Sequence, residues 1–344
     1  MRTGNVQLNK VCSGYVIDNL VMSPSILIGD SHYRGALCNA ILYFSKWAKN
    51  VNKLLSSAWV LLILIVIIWG VNWPIIKIGL RSIDPLWFAA ARLGIALVTI
   101  SVLLLFLGRL KRPHRQDVPI VLGVGVMQFA VFVTLINMGL TEVNAGRAAL
   151  LAYTTPLWVT PGAYFVLKEP FSRIKLVGAA VGICGLLILF NPLGFDWNDA
   201  SVVKGNILLL VAAMVWAISI LHIRQHKWKG SVLELTPWQI MVALLIVVPY
   251  AWFSNTQAVV WSAELVLILL YNGMLATALA QWASIRATQI LPAMTVSLGL
   301  LMVPLMGILS STIWLGEPFT MTLGLGAALI VGGLLLQINF RKQR

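Results

Sequence analysis

Runs of about twenty apolar residues, separated by short polar links, recur from residue 58 onward, and a stretch such as Trp59 to Ile68, WVLLILIVII, is apolar on every side. A helix facing water keeps one polar face with a period near 3.6, so a segment apolar all round belongs in lipid or deep inside protein. At 1.5 Å per residue, about twenty residues match a hydrocarbon layer about 30 Å thick. Only 10% of the 344 residues are charged and 59% are hydrophobic, against about 25% charged in soluble domains, so no soluble core accounts for this much apolar surface. The sequence predicts an all-α integral membrane protein with ten transmembrane helices, near 58–79, 84–107, 118–139, 147–167, 174–190, 204–223, 236–253, 262–285, 291–314 and 320–339. Helices rather than strands follow because backbone N–H groups in lipid need internal partners and no alternating strand pattern is present.

The net charge of +14 records topology. Basic residues fill every second loop: Arg109, Lys111, Arg112 and Arg115, then Lys168, Arg173 and Lys175, then Arg224, Lys227 and Lys229, then Arg286, and finally the C-terminus. The intervening loops hold only Arg81, Arg147 and Lys204, together with Asp84, Glu142, Asp196, Asp199, Glu264 and Glu317. By the positive-inside rule the basic set is cytoplasmic and both termini lie inside, as an even number of spans requires. No nucleic-acid partner is needed to explain the charge. Cys12, Cys38 and Cys184 show no paired spacing, and no metal or cofactor is expected.

The word KEPF at 168–171 returns as GEPF at 316–319, each between two apolar runs and each followed by a hydroxyl residue, Ser172 or Thr320. A shift of 148 residues superposes Glu169 and Pro170 on Glu317 and Pro318, Pro156 on Pro304, Gly178 on Gly326 and Gly185 on Gly333. A shift of 147 sets Trp69 on Trp216 and Lys77 on Arg224. The chain therefore reads as an internal repeat, 56–190 and 203–340, with a more polar extension, 1–55, ahead of it. Five spans per copy make the second copy enter the membrane from the opposite side, the architecture of many alternating-access carriers. The extension contains no span or signal-peptide pattern; its stretch 35–53 can lie on the inner surface as an interfacial helix or form a disordered tail.

With these residues the sequence resembles the EamA family of the drug/metabolite transporter superfamily: WGVNWPIIK at 69–77, the repeated (K/G)EPF, and the Gly-Ala-rich spans after each. The resemblance covers roughly 58–340. It implies a carrier in a bacterial cytoplasmic (inner) membrane that exports or exchanges small organic metabolites, amino-acid-like or drug-like, with the bilayer and the solute as its partners and a homodimer left open.

Several residues are candidates for the solute site. Arg92, about eight residues into the second span, is costly in hydrocarbon and either reaches an interface or a helix terminus or anchors a substrate carboxylate. In WGVNWP, Pro74 frees the carbonyl of Gly70, so the helix can kink; Asn72 can then hydrogen-bond a ligand while Trp69 or Trp73 stacks on it, or the tryptophans simply pack. Lys77 is expected to snorkel. Tyr153 and Thr154 precede Pro156, whose repeat mate is Pro304, and paired prolines mark hinge positions. Asn137, Asn272, Gln128 and Gln281 are further polar positions whose default role is bonding between helices. Glu169, Pro170, Glu317 and Pro318 read as punctuation that stops one helix and starts the next. His222 and His226 share a helix face but lack a third ligand nearby. No acidic residue lies mid-span, so proton antiport through a central carboxylate lacks its group, and facilitated diffusion, exchange or another coupling group stays open. No nucleotide-binding, esterase or metalloprotease motif occurs, so the chain is not expected to be an enzyme. A membrane-embedded enzyme acting on lipid or isoprenoid substrates would need clustered acids or histidines, and a channel would show no saturation.

Overall fold

A computed structural model describes residues 58–168, 173–190, 199–254, 258–290 and 299–337. The extension 1–55, and Glu169 and Pro170 with it, lie outside the described residues. The chain divides into two units, 1–60 and 61–344; of the first, only the opening residues of a helix are described.

Among the described residues all regular structure is helical. The elements are α1 (Ala58–Gly79), α2 (Pro85–Phe106), α3 (Val118–Val124), α4 (Val133–Glu142), α5 (Ala145–Ala152), α6 (Thr155–Leu167) and α7 (Arg173–Phe190). They continue with α8 (Ala200–Gln225), α9 (Val232–Phe253), α10 (Ala263–Leu270), α11 (Ala280–Ile290), α12 (Met302–Leu315) and α13 (Met321–Gln337). Two π-helical segments interrupt otherwise continuous rods: Gly125–Phe132 between α3 and α4, and Tyr271–Leu279 between α10 and α11. Such segments are rare and leave the regular i→i−4 ladder, so the sequence periodicity does not announce them.

Six of the described helical rods are long and apolar enough to cross a membrane: α1, α2, α3 to α4, α8, α9 and α10 to α11. The predicted span 147–167 is instead two shorter helices. Pro156 cannot donate to the carbonyl of Ala152, and Thr155 Oγ1 takes that carbonyl at 2.8 Å, while Thr154 Oγ1 donates to Leu151 O at 2.7 Å. The remaining shorter apolar helices lie within α7, α12 and α13.

Polar side chains fix the helix ends. Asp84 accepts from Leu86 N, Ser262 from Leu265 N, and Ser231 and Glu234 form a capping box at the start of α9. Asp199 caps α8, and bonds from the Ser201 hydroxyl and then the Val202 N–H hold its carboxyl below the usual range. Both punctuation words open on a left-handed residue, Lys168 at φ 54° and Gly316 at φ 66°. Glycine meets that conformation without strain, whereas lysine meets it at a cost of roughly 1–2 kcal/mol.

The main core gathers Phe88, Leu140, Leu150, Leu151 and Leu209, all fully buried. Around it α2 packs on α9 and on the second π segment, α8 on α4 and α6, α5 on α12, and α7 on α13. The last pair is the closest. A Cβ on Gly333 would stand 2.5 Å from Gly178 O, and one on Gly185 would stand 2.9 Å from Gly326 O. Those contacts run α7 antiparallel to α13, with backbone against backbone as small residues allow in membranes.

Candidate functional site

Arg92 follows the start of α2 by seven residues and is 9% exposed. Its Nε and Nη2 both donate to Thr277 Oγ1, at 3.3 and 3.0 Å, and the Thr277 hydroxyl in turn donates to Asn272 O at 2.7 Å. No carboxylate among the described residues pairs with it. From α2, Arg92 thus reaches Thr277 and through it Asn272 on the second π segment, and the i, i+5 spacing of the last bond is that of a π turn. A guanidinium removed from water costs several kcal/mol unless a counter-charge compensates it. A single hydroxyl leaves this cation with its charge uncompensated and with donors to spare.

The same π segment holds α1. Trp69 Nε1 donates to Ala276 O at 2.9 Å, and the Tyr271 hydroxyl donates to Ile68 O at 2.7 Å. Trp69 and Arg92 thus bond to the neighbouring residues 276 and 277. Asn72 Oδ1, one turn along α1, is buried without a partner among the described residues, as is Asn272 Oδ1. An unpaired buried acceptor costs about 1–3 kcal/mol, so both oxygens are open to a donor. Trp73 packs in the main core, its Cδ1 3.2 Å from where a Gly307 Cβ would sit. α1 runs unbroken from Ala58 to Gly79 through Pro74; Ser310 Oγ in α12 lies 3.4 Å from the freed Gly70 carbonyl, while its shorter bond, at 3.1 Å, is to Gly307 O of its own helix.

Tyr153 and Thr154 form the turn between α5 and α6, and Tyr153 is linked through Trp216 to Phe132 of the first π segment. Tyr153 stands edge-on to Trp216 at 6.2 Å, and Trp216 leans on Phe132 at 4.9 Å. Among the described residues no hydrogen bond joins this aromatic group to Arg92. Pro304 lies in the first turn of α12 and does not interrupt it. Of the other polar positions, Asn137 Nδ2 donates to Pro85 O at 3.1 Å, and Ser219 Oγ donates to Gln128 Oε1 at 3.4 Å.

Sequence reasoning missed Thr277 because one threonine in an apolar run carries no signal; its position depends on the π register. It also missed Asp117, which is fully buried at the basic end. His226 Nε2 meets Asp117 Oδ1 at 2.9 Å, and Lys229 N and Gly230 N donate to its two oxygens at 3.1 and 2.8 Å. His226 therefore serves an acid, and no group of three metal-ligating side chains occurs among the described residues.

The sequence pattern of the EamA-like transporter family matches residues 56–191 and again 203–338. The chain is 27% identical over 283 residues to an uncharacterized transporter, YoaV, of Bacillus subtilis, covering 80% of this chain and 94% of that one. It is 28% identical over 297 residues to a protein of Salmonella typhimurium named a probable amino-acid metabolite efflux pump, covering 83% and 96%. A protein of Streptantibioticus cattleyicolor named a probable terminal-alkyne amino-acid exporter is 26% identical over 300 residues, covering 84% and 95%. One solved crystal structure shares the fold with a TM-score of 0.57 at 18% identity, over 82% of this chain and 96% of that chain.

Proposed function

Because the chain belongs to the EamA-like transporter family, we propose that it carries a small carboxylate-bearing organic solute, of the amino-acid kind, out of a bacterial cell by alternating access. It is a multi-pass membrane transporter and not an enzyme. The buried, carboxylate-free Arg92 is the observation that carries the substrate class: a solute carboxylate supplies the counter-charge that Thr277 lacks. Trp69, Asn72, Trp73, Tyr153 and Thr154 complete the proposed solute path, with Gly70, Pro74, Pro156 and Pro304 as its hinge positions.

Ten spans in two inverted halves, 56–190 and 203–340, belong to the same reading. The contacts of Gly185 with Gly326 and of Gly333 with Gly178 support it, because each pair maps onto the other under the shift of 148, the reciprocity a two-fold axis demands. The shift of 147 carries the first π segment onto 272–279, within one residue of the second. A Cβ on Gly125 would stand 2.7 Å from Gln239 O, and one on Gly273 would stand 3.0 Å from Arg92 O; the shift of 147 carries Arg92 onto Gln239 and Gly125 to within one residue of Gly273. The alternating basic loops support an inner-membrane setting with both termini cytoplasmic and no nucleic-acid partner.

Counterflow in proteoliposomes tests the substrate class, with leucine, phenylalanine and their uncharged-carboxyl amides as probes. The native protein should exchange the acids in preference to the amides, and a stably folded Arg92→Gln variant should lose at least about tenfold for the acids. Unchanged acid exchange by that variant overturns the role of Arg92.

A further inference from the structure

Two oppositely charged side chains, Lys77 and Glu317, near enough to attract each other, hold the hairpin between α4 and α5. Lys77, in the last turn of α1, donates from Nζ to Leu140 O at 2.6 Å, Thr141 O at 3.2 Å and Val143 O at 2.9 Å. Half-buried at the end of α1, the ammonium caps the C-terminus of α4. Glu317, directly after the left-handed Gly316, accepts from Ala145 N at 2.7 Å with one carboxylate oxygen and from Gly146 N at 3.0 Å with the other. Cation on carbonyls and anion on N–H groups match the dipoles of the two helix ends. The seat is close: a Cβ on Gly146 would stand 2.7 Å from Ser311 Oγ and 3.2 Å from Ile308 Cα. Ser311 beneath it is 1% exposed.

The two grips differ in what they join. Lys77 and the hairpin belong to the same match of the family pattern, whereas Glu317 reaches the hairpin from the other match, 172 residues away in sequence. Halves that rock about a central site must break contacts between them at whichever end opens, and contacts within a half survive. The bonds of Glu317 are between halves, charge-assisted, and only part-buried, so water can replace them.

We propose that Glu317 and the N-terminus of α5 form the gate at the acid-bearing, outer end of the transporter, with Lys77 positioning the hairpin that receives it. In this structure the gate is closed, and solute reaches the outer side when the two carboxylate bonds part. The proposal rests on the alternating-access reading but is tested by access rather than by transport.

The test places Ser311→Cys in a background where Cys12, Cys38 and Cys184 are serine, and follows its labelling by a membrane-impermeant maleimide in vesicles of defined orientation. Glu317→Gln should raise the labelling rate from the outer side about tenfold. Glu317→Asp, one methylene shorter, should give an intermediate rise and serves if the glutamine variant does not fold. Unchanged labelling in a folded variant overturns the gate, and so does a lowered melting temperature with unchanged labelling, which marks a fixed helix cap. Counterflow is measured on the same vesicles: labelling that depends on Glu317 without any counterflow refutes the transport reading and leaves the closure standing.

Discussion

Replacing Gly333 by alanine puts a methyl group where the structure has no space, and nothing near it can yield cheaply. The new Cβ would lie 2.5 Å from Gly178 O, 2.5 Å from Gly182 N and 2.9 Å from Gly182 Cα, all backbone of α7. Ordinary van der Waals contact begins at 3.4 Å, so α7 and α13 must part by about 0.9 Å. A gap of 0.5–1 Å forfeits roughly a quarter to a half of the dispersion energy of each facing pair, and overpacking of this kind costs about 1–3 kcal/mol. The neighbouring Gly332 is the control: a Cβ there meets nothing within 4 Å. Gly332→Ala should be neutral, or stabilising by up to about 1 kcal/mol through the better helix propensity of alanine. Thermal unfolding of the purified protein in detergent compares the two, and Gly333→Ala should melt several degrees below Gly332→Ala. Equal melting would falsify the packing of α7 on α13, and with it the reciprocal contacts that favour an inverted repeat.

Asp117→Asn leaves an amide facing two backbone N–H donors and removes the partner of His226; a loss of about 1.5–3 kcal/mol is expected in the same melting assay, and no loss would mean that the buried carboxylate is not holding the loop at 226–230. If the halves are inverted copies, Glu169 is the register mate of Glu317, so Glu169→Gln should lower rather than raise outer labelling of Ser311→Cys by favouring opening at the opposite end. A rise from the outer side would count against the repeat.

The membrane class, the family and several of the rods were legible because lipid imposes length and apolarity on every span, and twenty apolar residues are hard to misread. Helix continuity was not. The prolines alone do not say which helix stops: α1 runs through Pro74, whereas α5 ends before Pro156, where the hydroxyls of Thr154 and Thr155 take the carbonyls of Leu151 and Ala152. Arg92 was conspicuous as an intramembrane charge, yet its partner Thr277 was invisible, because the π segment that aims it has the same apolar composition as an α-helix. Glu317 looked like local punctuation for a similar reason. Its own turn is legible, with Thr320 Oγ1 accepting from Leu323 N at 3.2 Å, but its carboxylate bonds lie across the fold at Ala145 and Gly146, and no local pattern records them.

Arg92 and Glu317 are connected through named bonds. Arg92 bonds Thr277, the adjacent Ala276 accepts from Trp69, and Tyr271 of the same π segment donates to Ile68, so the segment is pinned to α1. Eight residues on, about 12 Å along the helix, Lys77 of α1 holds the hairpin whose N–H groups Glu317 receives. A solute carboxylate that draws the guanidinium from Thr277 frees one end of that path, and α1, which carries the proposed hinge positions Gly70 and Pro74 between Trp69 and Lys77, links it to the other. Contiguity alone is a weak warrant for coupling, since energy can spread over many residues without following the bonds. A double-mutant cycle supplies the stronger one. Thr277→Val and Glu317→Gln, singly and together, are compared by the outer labelling rate of Ser311→Cys. Residues this far apart ordinarily add within about 0.3–0.5 kcal/mol, so a coupling above that range indicates transmission through α1. Additive effects would leave the gate and the anion seat as independent devices, and the opening of the outer end would then have to be driven by contacts other than those of Arg92.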